Sequence, residues 1–398
     1  MTQSERPETA PTRPPLHLGW ATFLTLMCGG LSGMLLGLAD DPTWVQRHVV
    51  EGAGVTVARA LNWLTSAAPF SVAEVLIGLG VLWVLWRWGE AFSDLLMGRD
   101  SWWRLLLREF SIVAATTSVV VFWFYASWGL SYFQPPVSER LGLEVLDQPQ
   151  DLDEEELFEL LERAVRKANA AYVEVHGSID AGEVTHPPEG FNADGALEVA
   201  YARLGEDLGL PESFGARRGP TKVMWVSEAL CWMGIGGIYL PFTGEANING
   251  NTPAWTQPQI MAHEKAHQRM VASEDEANFF GYLAGVRAQP ALIRYGAWVA
   301  IYGQLLRAAI PVDVERARAM AEQRLPGVRR DAEARAAFWQ RYDSQLDDLH
   351  RSFNDVYLKA NNVEGGVAAY ARAVQWIVAW SRTADGRVYM GPSRTEPM

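Results

Sequence analysis

Cysteine is almost missing from this chain: Cys28 and Cys231 are the only two in 398 residues. They lie in unrelated surroundings, which excludes a disulfide framework and a thiolate metal cluster. Histidine is scarce too, with 7 in all, so a metal site would have to combine a few imidazoles with carboxylates. Positive charge is in deficit: 34 Lys and Arg stand against 47 Asp and Glu, a formal net charge of −13. A nucleic-acid partner, which needs a basic face to displace phosphate counterions, is excluded on that ground.

Charge is absent or nearly absent from three long stretches near the start. Residues 16–39 carry no Asp, Glu, Lys or Arg, residues 70–88 carry only Glu74 and Arg87, and residues 110–130 again carry none. Each is long enough to cross a hydrocarbon layer of about 30 Å and is read as a transmembrane helix. A cleaved signal peptide is the alternative for the first, but its apolar run is too long and further spans follow. Residues 1–15, rich in proline, are expected to form a disordered cytoplasmic tail. Arg6 and Arg13 in that tail, with Arg87, Arg99, Arg104 and Arg108 between spans two and three, outnumber Arg47 and Arg59 between spans one and two. Basic loops stay cytoplasmic, so three spans would place residues 131–398 outside the cytoplasm.

That C-terminal part is expected to be α+β and predominantly helical, with a small β-sheet. Helical spacing of apolar residues marks Asp151–Val173, Ala193–Leu208, Ala291–Ala309, Val312–Gln323, Asp331–Leu349 and Gly366–Trp380. TKVMWV (Thr221–Val226) and GGIYLPF (Gly236–Phe242) are β-prone.

Between the second strand and the later helices lies MAHEKAHQRMVASEDEANFFGY, Met261 to Tyr282. Residues i and i+4 share one face of a helix, so His263 and His267 can aim both imidazoles at one ion. Glu264 sits one step round from His263, where it can reach a water activated by that ion without ligating it. His and carboxylate donors suit Zn2+, which needs a third protein ligand. Downstream stand Glu274, Asp275 and Glu276. Glu276 shares the stripe of Phe279, Phe280 and Leu283, the face expected to turn toward the core and the histidine helix, and is taken as the ligand. Glu274 lies with Asn278 and Gly281 on a face that reads as more exposed. Ser273 and Glu276 also have capping-box spacing, which would occupy Glu276 differently. For a donor to the charge that builds on an attacked carbonyl, the tyrosines available are Tyr282, Tyr295, Tyr302 and Tyr357. Tyr357 is favoured because Asn354, Asp355, Lys359 and Asn361 crowd around it; a polar helix-capping turn is the alternative.

The segment from His263 to Asn278 and the aromatics after it resembles the short-spaced gluzincin metallopeptidases. GIGGIYLPFTGEANING (Gly234–Gly250), MAHEKAHQ, EDEANFFGYLAG (Glu274–Gly285) and FNDVYLKANNVEGGVAAYARAV (Phe353–Val374) together look like a family of bacterial membrane proteins described only as a domain of unknown function. Two positions depart from the gluzincin pattern: Arg269-Met270 stands where a glycine is expected, and Lys265 lies inside the motif. The resemblance implies a zinc-peptidase-like domain in a multi-pass protein of the bacterial inner membrane. It also implies that the strand before the histidine helix lies along an extended substrate, with Gly237, Ile238 and Tyr239 contacting it and Glu245 and Asn247 orienting substrate or a ligand imidazole. TGEANING is equally a polar surface loop. The expected partners are the lipid bilayer and a peptide or protein substrate, with the oligomeric state open. A metal-binding membrane protein without catalysis, serving structure, sensing or envelope assembly, is the competing class.

Overall fold

The computed structural model describes residues 18–144, 153–343 and 369–391. The chain divides into two compact units, Met1–Leu38 with Ala73–Ala126, and Ala39–Val72 with Ser127–Met398.

In the first unit, α1 (Leu18–Leu38), α3 (Val72–Leu96) and α4 (Trp102–Ser127) are each long and apolar enough to cross a bilayer. Large apolar side chains such as Leu26, Leu82 and Trp86 point outward, which in water would be costly and in lipid is neutral. The last two helices run beyond the charge-free stretches because their polar ends are paired. Arg87 bonds Glu109 at 2.9 Å, joining α3 to α4, and Arg104 bonds Asp100 at 3.0 Å at the turn between them.

Helix α2 (Ala53–Ser66) belongs to the second unit although it lies between the first two apolar helices in sequence. Asn62 Nδ2 donates to the Gly244 carbonyl at 2.9 Å, and its Oδ1 accepts from the Gly219 N–H. Thr65 Oγ1 donates to the Thr243 carbonyl, and the Val72 N–H donates to Glu245. Gly244 has φ +68, and a Cβ there would stand 2.8 Å from the Asn62 nitrogen, so glycine is needed for this approach. The sequence reading leaves residues 39–72 as a connection within the membrane domain; the structure builds them into the other unit.

The rest of the second unit is helical around a three-stranded sheet. In chain order it contains α5 (Glu154–His176), α6 (Ala193–Asp207), β1 (Lys222–Val223), α7 (Ser227–Trp232), β2 (Gly237–Leu240) and β3 (Glu245–Ile248). They are followed by α8 (Gln257–His267), α9 (Glu274–Arg287), α10 (Ala291–Ala309), α11 (Val314–Glu322), α12 (Pro326–Gln340), α13 (Ala369–Arg382) and α14 (Ala384–Met390). Asp153 caps α5 by accepting the Glu156 N–H, three glutamates follow in its first turn, and Gly177 ends it at φ 64. Helix α5 packs along α10, α8 against α9, and α13 over α9 and α10, around a core that includes Leu160, Tyr172, Phe279 and Ile301.

Sheet order is β1-β3-β2, with β1 parallel and β2 antiparallel to the central β3. Strand β3 is the element the sequence conceals. All four of its residues are buried, so the alternation that marks a half-exposed strand is absent, and Glu245 and Asn247 make it read as a loop. Inside the fold Glu245 pairs with Lys222, and Asn247 Nδ2 donates to the Glu245 carbonyl at 3.1 Å.

Candidate metal centre

Pro258 at the start of α8 contributes no N–H where none is needed, and the helix ends at His267. Met270 then takes φ 67, the left-handed conformation that glycine usually supplies after a helix, with its N–H on the His267 carbonyl. The departure at Arg269-Met270 therefore changes the residue and keeps the turn. The turn carries the chain back so that α9 packs on α8.

The acid that reaches the histidines is Glu274. His263 Nε2 lies 3.1 Å from Glu274 Oε2, His267 Nε2 lies 3.6 Å from Glu274 Oε1, and the two Nε2 atoms are 3.1 Å apart. Glu276, expected as the ligand, points elsewhere: it accepts from the Val137 N–H at 2.8 Å and pairs with Arg140. It is not the capping-box acid either, since Ser273 makes no side-chain cap. The face assignment is corrected for a steric reason. Gly281 shares the Glu274 face, and a Cβ there would be 3.1 Å from the His263 nitrogen. The small residue that made this face look exposed is what lets α8 approach.

Each imidazole is fixed by its other nitrogen. His267 Nδ1 lies 2.7 Å from the Val271 carbonyl, which can only accept, so Nδ1 carries the hydrogen and Nε2 presents a lone pair. His263 Nδ1 lies 3.1 Å from Asn278 Oδ1, with the same consequence. The imidazole nitrogens and the carboxylate thus converge so closely that a positive charge is needed among them, either a cation or a proton. Burial alone would lower His267, but the Glu274 charge and hydrogen bond outweigh it and raise the imidazole to about 9. Without an ion, a proton supplies the missing positive charge. With one ligand atom taken from each residue, the two imidazoles and the Glu274 carboxylate lie within 4.8 Å of one another, and the two Nε2 atoms, 3.1 Å apart, are close to the ~3.3 Å ligand separation around zinc with bonds of about 2.0–2.1 Å. His263, His267 and Glu274 form the one metal-competent cluster found among the described residues.

Glu264 is buried beside this cluster, and burial pushes its carboxyl up to about 7 against the pull of both imidazoles. It accepts a backbone hydrogen bond from Tyr239 in β2. A Cβ on Gly237 would stand 2.6 Å from Glu264 Oε1 and 2.7 Å from Ile260 Cγ2, so glycine is what lets the strand lie this close. Gly237→Ala should destabilise the protein by about 1–3 kcal/mol, read from denaturant unfolding, because either side chain must leave its place.

The cluster opens on a cavity of about 1310 Å³ whose wall includes Gly237, Ile238 and Tyr239 with Glu264, His263, His267 and Glu274. Among the described residues, strand β2 is an edge strand, paired on one side only. Glu245 and Asn247, expected beside substrate, are instead buried in central β3 and absent from that wall. Among the tyrosines, Tyr282 lines the cavity and its hydroxyl accepts from Gln304 at 2.9 Å. Tyr295 donates to Asp331 at 2.7 Å within the core. Tyr357 and Asp355 lie outside the described residues. Sequence reasoning also missed Trp128, which lines the cavity and donates from Nε1 to the His267 carbonyl at 3.0 Å. Asn278 could have been found, since it follows Glu274 by four residues and must share its face.

The rear of α8 explains the second departure. Lys265 is fully buried and pairs with Glu198 at 2.7 Å and Asp194 at 2.9 Å, while Arg269 bonds the other Glu198 oxygen at 3.0 Å. Burial would raise the Glu198 carboxyl, but Arg269 and Lys265 hold it at about 2.

The family model for DUF3810, described as a protein of unknown function, matches residues 55–378. The chain belongs to the DUF3810 family. No curated protein and no solved structure matches it. The DUF3810 match begins within α2 and takes in α3, α4 and the sheet as well as the cluster.

Proposed function

We propose that this DUF3810 protein is a membrane-anchored zinc metallopeptidase, with His263, His267 and Glu274 as ligands and Glu264 as general base. The observation that carries the reading is the convergence of three acceptors whose orientations are fixed from behind, with a buried carboxylate at their side. When bound, zinc supplies a Lewis acid that makes water acidic near neutral pH and polarises a carbonyl. Glu264 takes the proton of the attacking water and passes it to the leaving amine. The free edge of β2 positions an extended peptide through main-chain hydrogen bonds. A cavity of about 1310 Å³ exceeds the usual ~300–1,000 Å³ of small-molecule sites, which favours a chain over a single metabolite. The arginine distribution supports an extracytoplasmic position for this unit, and the sequence resemblance supports a bacterial inner-membrane protein.

Metal content tests the reading directly. The full chain in detergent is the right sample, because a fragment starting at Ser131 would lose the α2 contacts with Gly219, Thr243 and Gly244. Wild type and Glu276→Gln are expected to carry about one zinc per chain, and His263→Ala and Glu274→Gln to carry almost none. Glu276→Gln should melt earlier, since Arg140 loses its partner. Absence of zinc from wild type would end the proposal; zinc without hydrolysis of any peptide would leave a non-catalytic metal protein.

A further inference from the structure

The cavity wall carries positive charge that the proposed chemistry does not use. Arg307 and Arg335 both line it, and both are exposed residues. Helical spacing turns them inward. Gly303 stands one turn before Arg307 on α10 and Trp339 one turn after Arg335 on α12, and both belong to the same wall. Open space lies before this face, since a Cβ on Gly303 would meet nothing within 4 Å. Burial first, and then the Arg307 charge, lower the Arg335 guanidinium against the pull of Tyr282, another wall residue. An accessible residue whose charge is nevertheless desolvated opens into an enclosed space rather than onto the outer surface. Among the described residues no acid acts on Arg335, and the acids of the wall are Glu264 and Glu274, which the metal centre uses.

Two like charges facing one partly desolvated space repel each other, and an anion between them removes that cost. Guanidiniums offer forked N–H donors that match both oxygens of a carboxylate. A neutral or cationic group would leave the repulsion in place. Position follows from α9. Glu274, Asn278 and Tyr282 follow one another at i, i+4 and i+8 on one face of that helix and all line the cavity, which sets Tyr282 about 12 Å along the axis from the metal ligand. An extended peptide covers that span in roughly three to four residues. We propose that Arg307 and Arg335 form an anion subsite that takes a carboxylate of the peptide substrate, either its C-terminus or an acidic side chain, roughly three to four residues from the bond attacked at the metal. This inference rests on the metallopeptidase reading and names the charge that its substrate carries.

Peptide hydroxamates, which chelate a site metal, carry the test along the cavity. Pairs that differ only in carboxylate against carboxamide are compared by titration calorimetry on the full chain in detergent. One pair differs at the C-terminus, and the others at a Glu or Gln side chain about three or four residues to either side of the hydroxamate. At least one acid should bind about tenfold or more tighter than its amide, and the pair that shows it separates a terminal from a side-chain carboxylate. In Arg335→Gln and in Arg307→Gln the preference should shrink to about twofold with zinc content unchanged. Arg335→Lys keeps the charge and should retain more of the preference than Arg335→Gln. A zinc-loaded chain on which acid and amide behave alike in every pair, or a preference that survives both glutamine variants, would overturn the subsite alone. A chain that holds no zinc would overturn the metallopeptidase reading and the subsite together.

Discussion

Glu264→Gln is expected to lower peptide hydrolysis by about 10²–10⁴-fold while zinc content stays at the wild-type level. The separation follows from the geometry. Glu264 contributes no atom to the cluster of His263, His267 and Glu274, so a ligand set of the same shape remains after the change. What is lost is the proton acceptor, since an amide cannot take a proton from water near neutral pH. Folding should be little affected, because the glutamine carbonyl can still accept the Tyr239 N–H that Glu264 accepts now. The measurement is hydrolysis of a quenched peptide library beside zinc analysis of the same samples. Retained hydrolysis in Glu264→Gln would remove the glutamate from the reaction, and loss of zinc would make it a ligand.

The second large effect lies behind the site. Glu198→Gln should destabilise the protein by about 3–5 kcal/mol, because the buried cations of Lys265 and Arg269 lose the anion between them. In a unit of this size that corresponds to a fall in melting temperature of roughly 10 °C. The pH dependence gives it a signature. The Glu198 carboxyl is held at about 2 in the folded protein against an ordinary 4.5. A depressed carboxyl stabilises the fold fully above its unfolded value and loses that contribution as pH falls toward the folded one. The gap between wild type and Glu198→Gln should therefore be constant from neutral pH down to about 5 and close progressively below it. A gap that is flat to pH 3 would mean the ion pairs contribute little. Lys265 and Arg269 lie on either side of the second histidine, so this network also sets how α8 presents its imidazoles.

Much of this was legible in the chain. The three apolar helices follow from runs without charge, because the cost of a bare charge in hydrocarbon leaves little freedom in how such runs are built. Helix α10 spans Ala291–Ala309, as its periodicity requires, and α6 and α5 lie within a few residues of expectation. His263, Glu264 and His267 come together because their spacing is local and one helix enforces it. Strand β2 was visible through its β-prone residues and flanking glycines.

What could not be read depends on partners distant in sequence. The choice between Glu274 and Glu276 turns on which face of α9 meets α8. Local periodicity pointed to the stripe of Phe279 and Phe280, whereas the close approach at Gly281 decided for the other side. Strand β3 was hidden because a carboxylate in a buried strand is tolerated only when partners satisfy it, and those of Glu245, Lys222 and the Val72 N–H, lie elsewhere in the chain. The sequence by itself determined the elements, the apolar helices and the histidine pair, since each is set by spacing within one segment. Only the tertiary structure decided the third carboxylate, the placement of α2 and the lining of the cavity, since burial and contact depend on the whole packed unit.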